Sequence, residues 1–420
     1  MTTREECLSL DAEDPLASLR DRFELPAGKI YLDGNSLGVL PKATPARVAE
    51  VVRLEWGEHL IESWNTASWI ELPQRVGDKI ARLVGAAPGE MVAADSTSVN
   101  LFKVLSAAMT IAREDAPGKR CILSERGNFP TDLYIAEALA RERGFELVLV
   151  GAAEDIGHRL AQGNVAVLML TQVDFKSGRL HDMAAVSRAA RAAGTLALWD
   201  LAHSAGALPV NLDRDGADFA VGCGYKYLNG GPGAPAFVWV HPRHAERFWQ
   251  PLAGWMGHAA PFAFDPAYRP APGIARYLCG TPALLSLAAL ECGVDTVLAA
   301  EPLGGMAALR AKSLALTDLF IALVQERCGS HGLECITPSE HALRGSQVSF
   351  ARAEGSYAIV QALIARGVVG DFRAPDVMRF GFTPLYLRFA DVWDAVEHLR
   401  DVLDSGQWRD PRFHRQAAVT

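Results

Sequence analysis

The sequence predicts an α/β fold built on a mostly parallel sheet, and two features of the chain predict it. From about Arg120 to Val240, short apolar runs alternate with longer segments that have helical periodicity, which is the order expected of parallel strands joined by crossover helices. The apolar runs are hydrophobic at consecutive positions, so we expect a sheet covered by helices on both faces.

Each predicted element can be located in the chain. The strands are CILS, ELVLV, VAVLMLT, TLALWD, DFAVGCG and AFVWV, with TDLYIAEALARERG and MAAVSRAARAAG as intervening helices. Upstream, VNLFKVLSAAMTIARE has apolar residues three and four apart, as a helix face requires. Downstream, ALLSLAALECGVDTVLAA predicts a long helix, and QVSFA and VMRFGFT predict further strands.

The length of 420 residues exceeds the roughly 250–300 residues of a single core, so we expect more than one domain. Residues 1–50 are predicted to be an N-terminal segment that packs on the smaller domain and the active site. Residues 51–299 are predicted to form the large domain, and residues 300–420 a smaller α+β domain. A cleft between two domains is a common place for a small-molecule site.

Composition excludes several classes of function. The net charge is -8 and no basic block occurs, which argues against nucleic acid or an anionic membrane as partner. The polar, acidic start differs from a signal peptide, and no run of about 18 apolar residues is present. Seven cysteines without a Cys-x-x-Cys pair suit a reducing compartment. We therefore expect a cytoplasmic protein, and the scattered histidines predict no catalytic metal.

Two segments place reactive side chains after predicted strands, where open α/β sheets bind ligands. Asp200 ends the strand TLALWD and His203 follows it, although a helix-capping aspartate and an ordinary loop histidine would look the same. Lys226 lies in a glycine-rich loop after DFAVGCG, where poor solvation would favour its neutral, nucleophilic form. A surface lysine is the alternative for that position alone. The loop does not fit a dinucleotide fingerprint, because a third glycine and a following helix are missing.

The combination of these residues fits pyridoxal phosphate (PLP). An acid such as Asp200 would keep the pyridine nitrogen protonated, His203 could stack on the ring, and Lys226 would carry the Schiff base. Thr97 and Ser98 precede a predicted helix, whose first amides would bind a phosphate, a role compatible with simple capping. The order of helix-start hydroxyls, then Asp200, then Lys226 about 26 residues later is that of PLP enzymes of fold type I.

The chain resembles the kynureninase family over nearly its whole length. The motifs that carry the resemblance are YLDGNSLG (31–38), DSTSVNLF (95–102), NFPTD (128–132), WDLAH (199–203), GCGYKYLNGGPG (222–233), Gly254–Trp255, GTP (280–282) and Arg379. The resemblance implies a large domain built on a mostly parallel seven-stranded sheet. It also implies hydrolysis of L-kynurenine to anthranilate and L-alanine, with Lys226 also acting as the base at Cα and Tyr225 as proton donor.

The resemblance also implies the cofactor contacts. Phe129 would stack on the ring, with Asp132 and His203 beside it and Thr171 in looser contact. Thr97, Ser98 and Tyr225 would hold the phosphate, together with Trp255 and Thr281 from a second subunit. The implied assembly is a homodimer with shared active sites.

For the substrate, the resemblance implies that Arg379 binds the carboxylate through two parallel hydrogen bonds. Asn35 and Ser36 would approach the substrate, although a purely structural turn is equally compatible with GNSLG. Trp64 would form a wall against the aromatic ring, and a core tryptophan is its alternative. Trp64 with Gly280 and Thr281, and the lack of a His/Asn pair for a ring hydroxyl, favour kynurenine over 3-hydroxykynurenine.

Two alternatives remain open at this point. A cysteine desulfurase or class V aminotransferase would share the fold and the lysine, and a desulfurase would need a persulfide-forming thiol such as Cys328 or Cys335. A catalytically silent binding protein of the same fold would keep the scaffold without the reaction.

Overall fold

A computed structural model describes residues 2–151 and 153–416 of the chain. The strands are β1 (Ile30–Tyr31), β2 (Met91–Ala93), β3 (Cys121–Glu125), β4 (Glu146–Val150), β5 (Val165–Thr171), β6 (Leu196–Asp200), β7 (Phe219–Gly222), β8 (Phe237–Val240), β9 (Glu334–Cys335), β10 (Gln347–Ala351), β11 (Val368–Val369), β12 (Asp371–Arg373) and β13 (Val377–Gly381). The helices are α1 (Arg4–Glu13), α2 (Ala43–Glu50), α3 (Ser63–Thr66), α4 (Leu72–Val84), α5 (Thr97–Asp115), α6 (Pro130–Arg143), α7 (Ala153–Ala161), α8 (Met183–Ala192), α9 (Pro242–Ala245), α10 (Leu284–Leu298), α11 (Gly305–Cys328), α12 (Ser356–Ala365) and α13 (Phe389–Asp404).

The central sheet has seven strands in the order β2-β8-β7-β6-β5-β3-β4, which confirms the predicted mostly parallel sheet. Strands β3 to β7 run parallel to their neighbours within this group. The expectation that AFVWV is another parallel strand is wrong, because β8 runs antiparallel to β7. Residues 223–236 between them contain no helix, so the chain returns beside β7 without a crossover unit.

The consecutive apolar residues of the strands are buried, as their pattern predicts. All seven residues of β5 are buried, because helices cover both faces of the sheet. Helix α5 begins after Ser96, whose side chain accepts a hydrogen bond from the Val99 amide. This cap starts the helix directly beyond β2 and leaves the Thr97 and Ser98 amides at its first turn.

The C-terminal part contains a four-stranded sheet in the order β12-β13-β10-β9. The predicted strands QVSFA and VMRFGFT are confirmed as β10 and β13, which pair antiparallel. The N-terminal segment lies on this part: β1 pairs with β11, and the Asp11 carboxylate accepts the first amides of α13 from Phe389 and Ala390.

The fold brings three strand ends together. In the register of the sheet Thr171 lies beside Asp200, and Asp200 lies beside Val221. Since β5, β6 and β7 are parallel, their carboxyl ends open at one edge of the sheet. The Lys226 loop begins there, directly after Gly222.

Candidate active site

A cavity of about 340 Å³ lies at this edge of the sheet, within the usual size range of small-molecule sites. It gathers most of the cofactor-binding residues predicted from the sequence. The predicted residues that line it are Thr97, Ser98, Phe129, Asp132, Thr171, Asp200, His203, Tyr225 and Lys226.

Lys226 opens onto this cavity beside a histidine. Its Nζ lies 2.8 Å from Nε2 of His203 and 5.8 Å from the centre of the Tyr225 ring. Burial lowers the pKa of Lys226, and Arg379 and Arg373 add to that effect while Cys223 and Asp200 oppose it. The lysine therefore has the lowered basicity that a nucleophilic amine needs near neutral pH.

Two buried carboxylic acids lie side by side in the cavity. Asp132 and Asp200 are each 3% exposed, and the Ala202 amide donates to Asp200 Oδ1 at 2.7 Å. Burial, and then the charge of Asp200, raises the pKa of Asp132 well above its usual value. Burial also raises the pKa of Asp200, against the effects of Lys226, the Ala202 amide and Asp132. The two carboxyl groups are therefore harder to ionise together than either would be alone.

The remaining cavity residues fit a ring and a phosphate. The Phe129 ring is 41% exposed and is held edge-on by the Phe175 ring at 5.3 Å. Burial raises the pKa of Tyr225, so its hydroxyl keeps its proton at neutral pH. The first turn of α5 offers the amides of Thr97 and Ser98, which suit an anion.

These residues fit PLP on physical grounds. A buried Asp200 with a raised pKa would be stabilised by a protonated pyridine nitrogen beside it. Phe129 offers an exposed ring face, and the start of α5 is a place for a dianion. Lys226, with its lowered pKa, would supply the amine for the Schiff base.

Arg379 lies outside the residues that line the cavity, in a polar cluster joined to it. Its Nε donates to Asp371 Oδ1 at 2.8 Å, while Nη2 donates to Asp371 Oδ2 and to Ser36 Oγ. Its Nη1 donates to the Phe175 carbonyl at 2.6 Å. These contacts use four of the five guanidinium N–H groups. Among the described residues one donor, on Nη1, therefore remains open, one fewer than the two parallel hydrogen bonds expected from the sequence.

Asp33, a second carboxylic acid beside Asp371, predicts a pH effect on the stability of the fold. Burial, and then the charge of Asp371, raises the pKa of Asp33 to about 8. This value lies above the pKa of Asp33 in the unfolded chain, so protonated Asp33 stabilises the folded state. That stabilisation is lost as the pH rises through about 8. The asparagine in Asp33→Asn cannot ionise. Between about pH 5 and about pH 8 we therefore expect the melting temperature of this variant to fall by about 5 °C less than that of the wild type.

Asp21→Asn is the control for this measurement, because Asp21 is exposed. Equal pH profiles for the wild type and Asp33→Asn would show that Asp33 is ionised throughout this range.

The predicted GNSLG turn lies against the Lys226 loop. The Gly38 amide donates to the Tyr225 carbonyl at 2.7 Å. A Cβ at Gly38 would lie 2.5 Å from the Lys226 carbonyl and 2.6 Å from Asn229 Cα. Asn35, in the same turn, is fully buried and its side chain has no hydrogen-bond partner among the described residues.

We therefore expect Gly38→Ala to destabilise the fold by about 2–3 kcal/mol through this clash. The displaced Lys226 loop would also weaken PLP binding. Thermal melting and PLP titration measure the two effects. Gly118→Ala is the matched control, because a Cβ at Gly118 would meet no atom within 4 Å. Equal melting and PLP binding of the two variants would contradict the close approach of Gly38 to the Lys226 loop.

Trp64, Trp255 and Thr281 do not line the cavity of their own chain. Trp64 and Trp255 pack edge-on with ring centres 6.1 Å apart, and Phe262 contacts both rings. Thr281 is exposed. The structure therefore separates these three residues from the Lys226 cavity within one chain.

Sequence reasoning missed several residues that build the site. Phe175 lines the cavity, Asp371 holds Arg379, and Gln347 contacts His203. Phe175 and Asp371 carried no recognisable signal, while Gln347 lay in the strand QVSFA that the pattern did identify. A lone glutamine in a strand predicts no role.

A mostly parallel sheet with a lysine of lowered pKa at its carboxyl edge is the arrangement of PLP-dependent enzymes of fold type I, and solved structures of that kind superpose on this chain. A cysteine desulfurase from Thermococcus onnurineus NA1 aligns with a TM-score of 0.77 at 18% identity, over 92% of this chain and 98% of its own. A mutant of C-DES with glycine covalently linked to its PLP cofactor aligns at 0.76 and 18% identity, over 91% and 99%.

Sequence comparison is more specific than the fold. Residues 309–399 match the model of the kynureninase C-terminal domain. A protein named kynureninase from Burkholderia pseudomallei (strain 1106a) is 56% identical over 100% of both chains. The chain belongs to the kynureninase family.

No helix within residues 2–151 and 153–416 has the length and apolar character needed to span a bilayer.

Proposed function

We propose that this chain is a PLP-dependent hydrolase that converts L-kynurenine and water to anthranilate and L-alanine. Full-length identity of 56% to a protein named kynureninase supports it. The observation that carries the proposal is the continuous set of hydrogen bonds from Lys226 through His203, Gln347 and the Phe175 carbonyl to Arg379. It connects an amine and a carboxylate-binding group, the two contacts that an α-amino acid needs.

Each residue has a distinct task in this proposal. The bound cofactor supplies an electron sink for negative charge at the substrate Cα. Lys226, with its lowered pKa, takes the Cα proton as a neutral amine. Water adds to the side-chain carbonyl to give a hydrate. A general base takes a proton from the hydrate as the Cβ–Cγ bond breaks, which forms the carboxyl group of anthranilate and leaves the electron pair on Cβ. Tyr225, which keeps its proton because burial raises its pKa, donates that proton to Cβ.

Two experiments on one preparation test this function. Incubation with L-kynurenine is expected to release fluorescent anthranilate, and borohydride reduction followed by peptide mapping is expected to find PLP on Lys226. Absence of anthranilate at every pH would favour a silent binding protein. Labelling of a different lysine would refute the proposed site.

The desulfurase alternative is disfavoured by the positions of its candidate thiols. Cys328 is fully buried, and burial raises the pKa of Cys328 to about 12. Burial also raises the pKa of Cys335. Neither cysteine lines the Lys226 cavity, so neither is placed to accept sulfur. L-cysteine is accordingly expected to release no sulfide or alanine, and measurable release would reopen this alternative.

We expect a preference for kynurenine over 3-hydroxykynurenine. Apolar and small residues at Trp64, Gly280 and Thr281 offer no pair of polar side chains for a ring hydroxyl, whose burial without a partner costs free energy. Comparing kcat/KM for both substrates measures this, and we expect a ratio of about 10 or more, the effect of roughly 1.4 kcal/mol. A higher kcat/KM for the hydroxylated substrate would refute it.

We also propose a homodimer in which Trp255 and Thr281 of one subunit complete the site of the other. The aromatic cluster extends through Phe262 to Phe264, which is 75% exposed, and the chain also exposes Trp56 at 58% and Ile61 at 75%. Exposed apolar side chains of this size suit contact with a second copy.

A hybrid dimer tests the shared site. One subunit carries Lys226→Ala and the other Trp255→Ala, with different tags for purification. If the sites are shared, one of the two sites contains both native residues, and about half of the wild-type activity is expected. If each chain supplies its own Trp255, the hybrid has no native site and activity stays at the level of the single variants.

Two further expectations belong to the same proposal. The division into residues 1–50, 51–299 and 300–420 is supported by the pairing of β1 with β11 and by the contact of Arg4 with Asp394 at 2.8 Å. A cytoplasmic location is supported by the free thiols of all seven cysteines, which suit a reducing compartment.

A further inference from the structure

Gln347 joins the cavity around Lys226 to the polar cluster around Arg379. Its side chain comes from β10 and is fully buried, with its stem close enough to Gly178 that a Cβ there would lie 2.8 Å from Gln347 Cγ. Gln347 Oε1 lies 3.0 Å from Nδ1 of His203. Gln347 Nε2 donates to the Phe175 carbonyl at 3.1 Å.

The Phe175 carbonyl decides the orientation of this amide. A carbonyl oxygen can only accept hydrogen bonds, so the amide nitrogen of Gln347 must face it. The amide oxygen then faces His203, and Nδ1 must carry the proton. In a neutral imidazole this leaves a lone pair on Nε2, which is the atom 2.8 Å from Lys226 Nζ.

We propose that Gln347 is a positioning residue that fixes His203 in the Nδ1–H tautomer and so presents the Nε2 lone pair to the Lys226 nitrogen. The same carbonyl accepts from Arg379 Nη1, so one backbone atom orients both the carboxylate-binding arginine and, through Gln347, the histidine. Burial, and then Lys226, lowers the pKa of His203 well below its usual value, which keeps the imidazole neutral.

The charged surroundings set the direction of the expected effect. The titratable groups that act on His203 are Lys226, Arg379 and Arg373, and those that act on Lys226 include Cys223, Asp200, Arg379 and Arg373. A lone pair facing Nζ stabilises its protonated form. Loss of that acceptor should therefore lower the pKa of the Lys226 nitrogen.

Gln347→Met tests this, since methionine keeps the length of the side chain and removes both hydrogen bonds. In the holoenzyme we expect the pH midpoint of the absorbance change of lysine-bound PLP to fall by about one unit. In the full-length chain without PLP, ¹⁵N NMR of the histidine ring nitrogens should show His203 protonated at Nδ1 in the wild type and at Nε2 in the variant. Gln361→Met, a glutamine of α12 outside the site, should leave both measurements unchanged.

Gln347→Leu gives a second, independent result if Gln347→Met does not fold. Leucine also lacks both the acceptor for Nδ1 and the donor for the Phe175 carbonyl, so we again expect His203 to be protonated at Nε2. A wild-type proton on Nε2, or unchanged histidine spectra in the folded variants, would overturn the proposal. The spectra without PLP do not depend on Lys226 carrying the cofactor, so this failure is distinguishable from failure of the proposed function.

Discussion

Lys226→Ala is expected to lower kcat/KM for L-kynurenine by about 10⁴-fold or more, because it removes both the covalent attachment point and the Cα base. The cavity itself should survive, since the side-chain hydrogen bond of Lys226 that the structure describes is to His203 Nε2, at the cavity wall. PLP should then bind without forming a borohydride-reducible link. Absorbance, mass of the reduced protein and anthranilate release measure the three effects together.

Lys119→Ala is the matched control for this variant. Burial lowers the pKa of Lys119 as well, but its Nζ donates to the Gly194 carbonyl near the start of β3, away from the carboxyl edge of the sheet. We expect it to retain wild-type turnover. If Lys226→Ala kept more than about a tenth of the activity, a different base and a non-covalent cofactor would be required.

Much of the sheet and of the cofactor end of the cavity could be predicted from the sequence. The apolar strands, the helix start at Thr97, and the residues after β6 and β7 follow from local pattern, because parallel strands bring their carboxyl ends together. Asp200 and Lys226 were therefore expected at one edge, and both line the cavity.

The polar cluster around Arg379, where we expect the substrate carboxylate, could not be predicted in the same way. Gln347 and Phe175 act through contacts with residues far along the chain, such as the bond of Gln347 to the Phe175 carbonyl across 172 positions. No periodicity encodes which carbonyl a glutamine will meet. The direction of β8 was missed for a related reason. The loop before β8 contains no helical pattern, and without one the sequence does not distinguish a short loop, which leads to an antiparallel strand, from a crossover loop, which leads to a parallel one.

Arg379→Ala should be the second most damaging substitution, with a loss of about 3 kcal/mol in transition-state binding, or roughly 150-fold in kcat/KM. Arg379 is 1% exposed and held by Asp371, Ser36 and the Phe175 carbonyl, so its position is fixed before substrate binds. Arg379→Lys should recover little, because one ammonium group cannot replace the planar set of donors that holds Asp371 and still reach a carboxylate.

Arg327→Ala separates lost binding from lost stability. Arg327 also pairs with an acid, Glu397, and packs over the Trp393 ring, but on α11, away from the cavity. Both alanine variants should melt at lower temperature, since each removes one cation from beside a partly or fully buried acid. Only Arg379→Ala should lower kcat/KM per folded molecule. An unchanged kcat/KM for this variant would place the carboxylate site elsewhere, and Arg373 is the next cation beside Asp371.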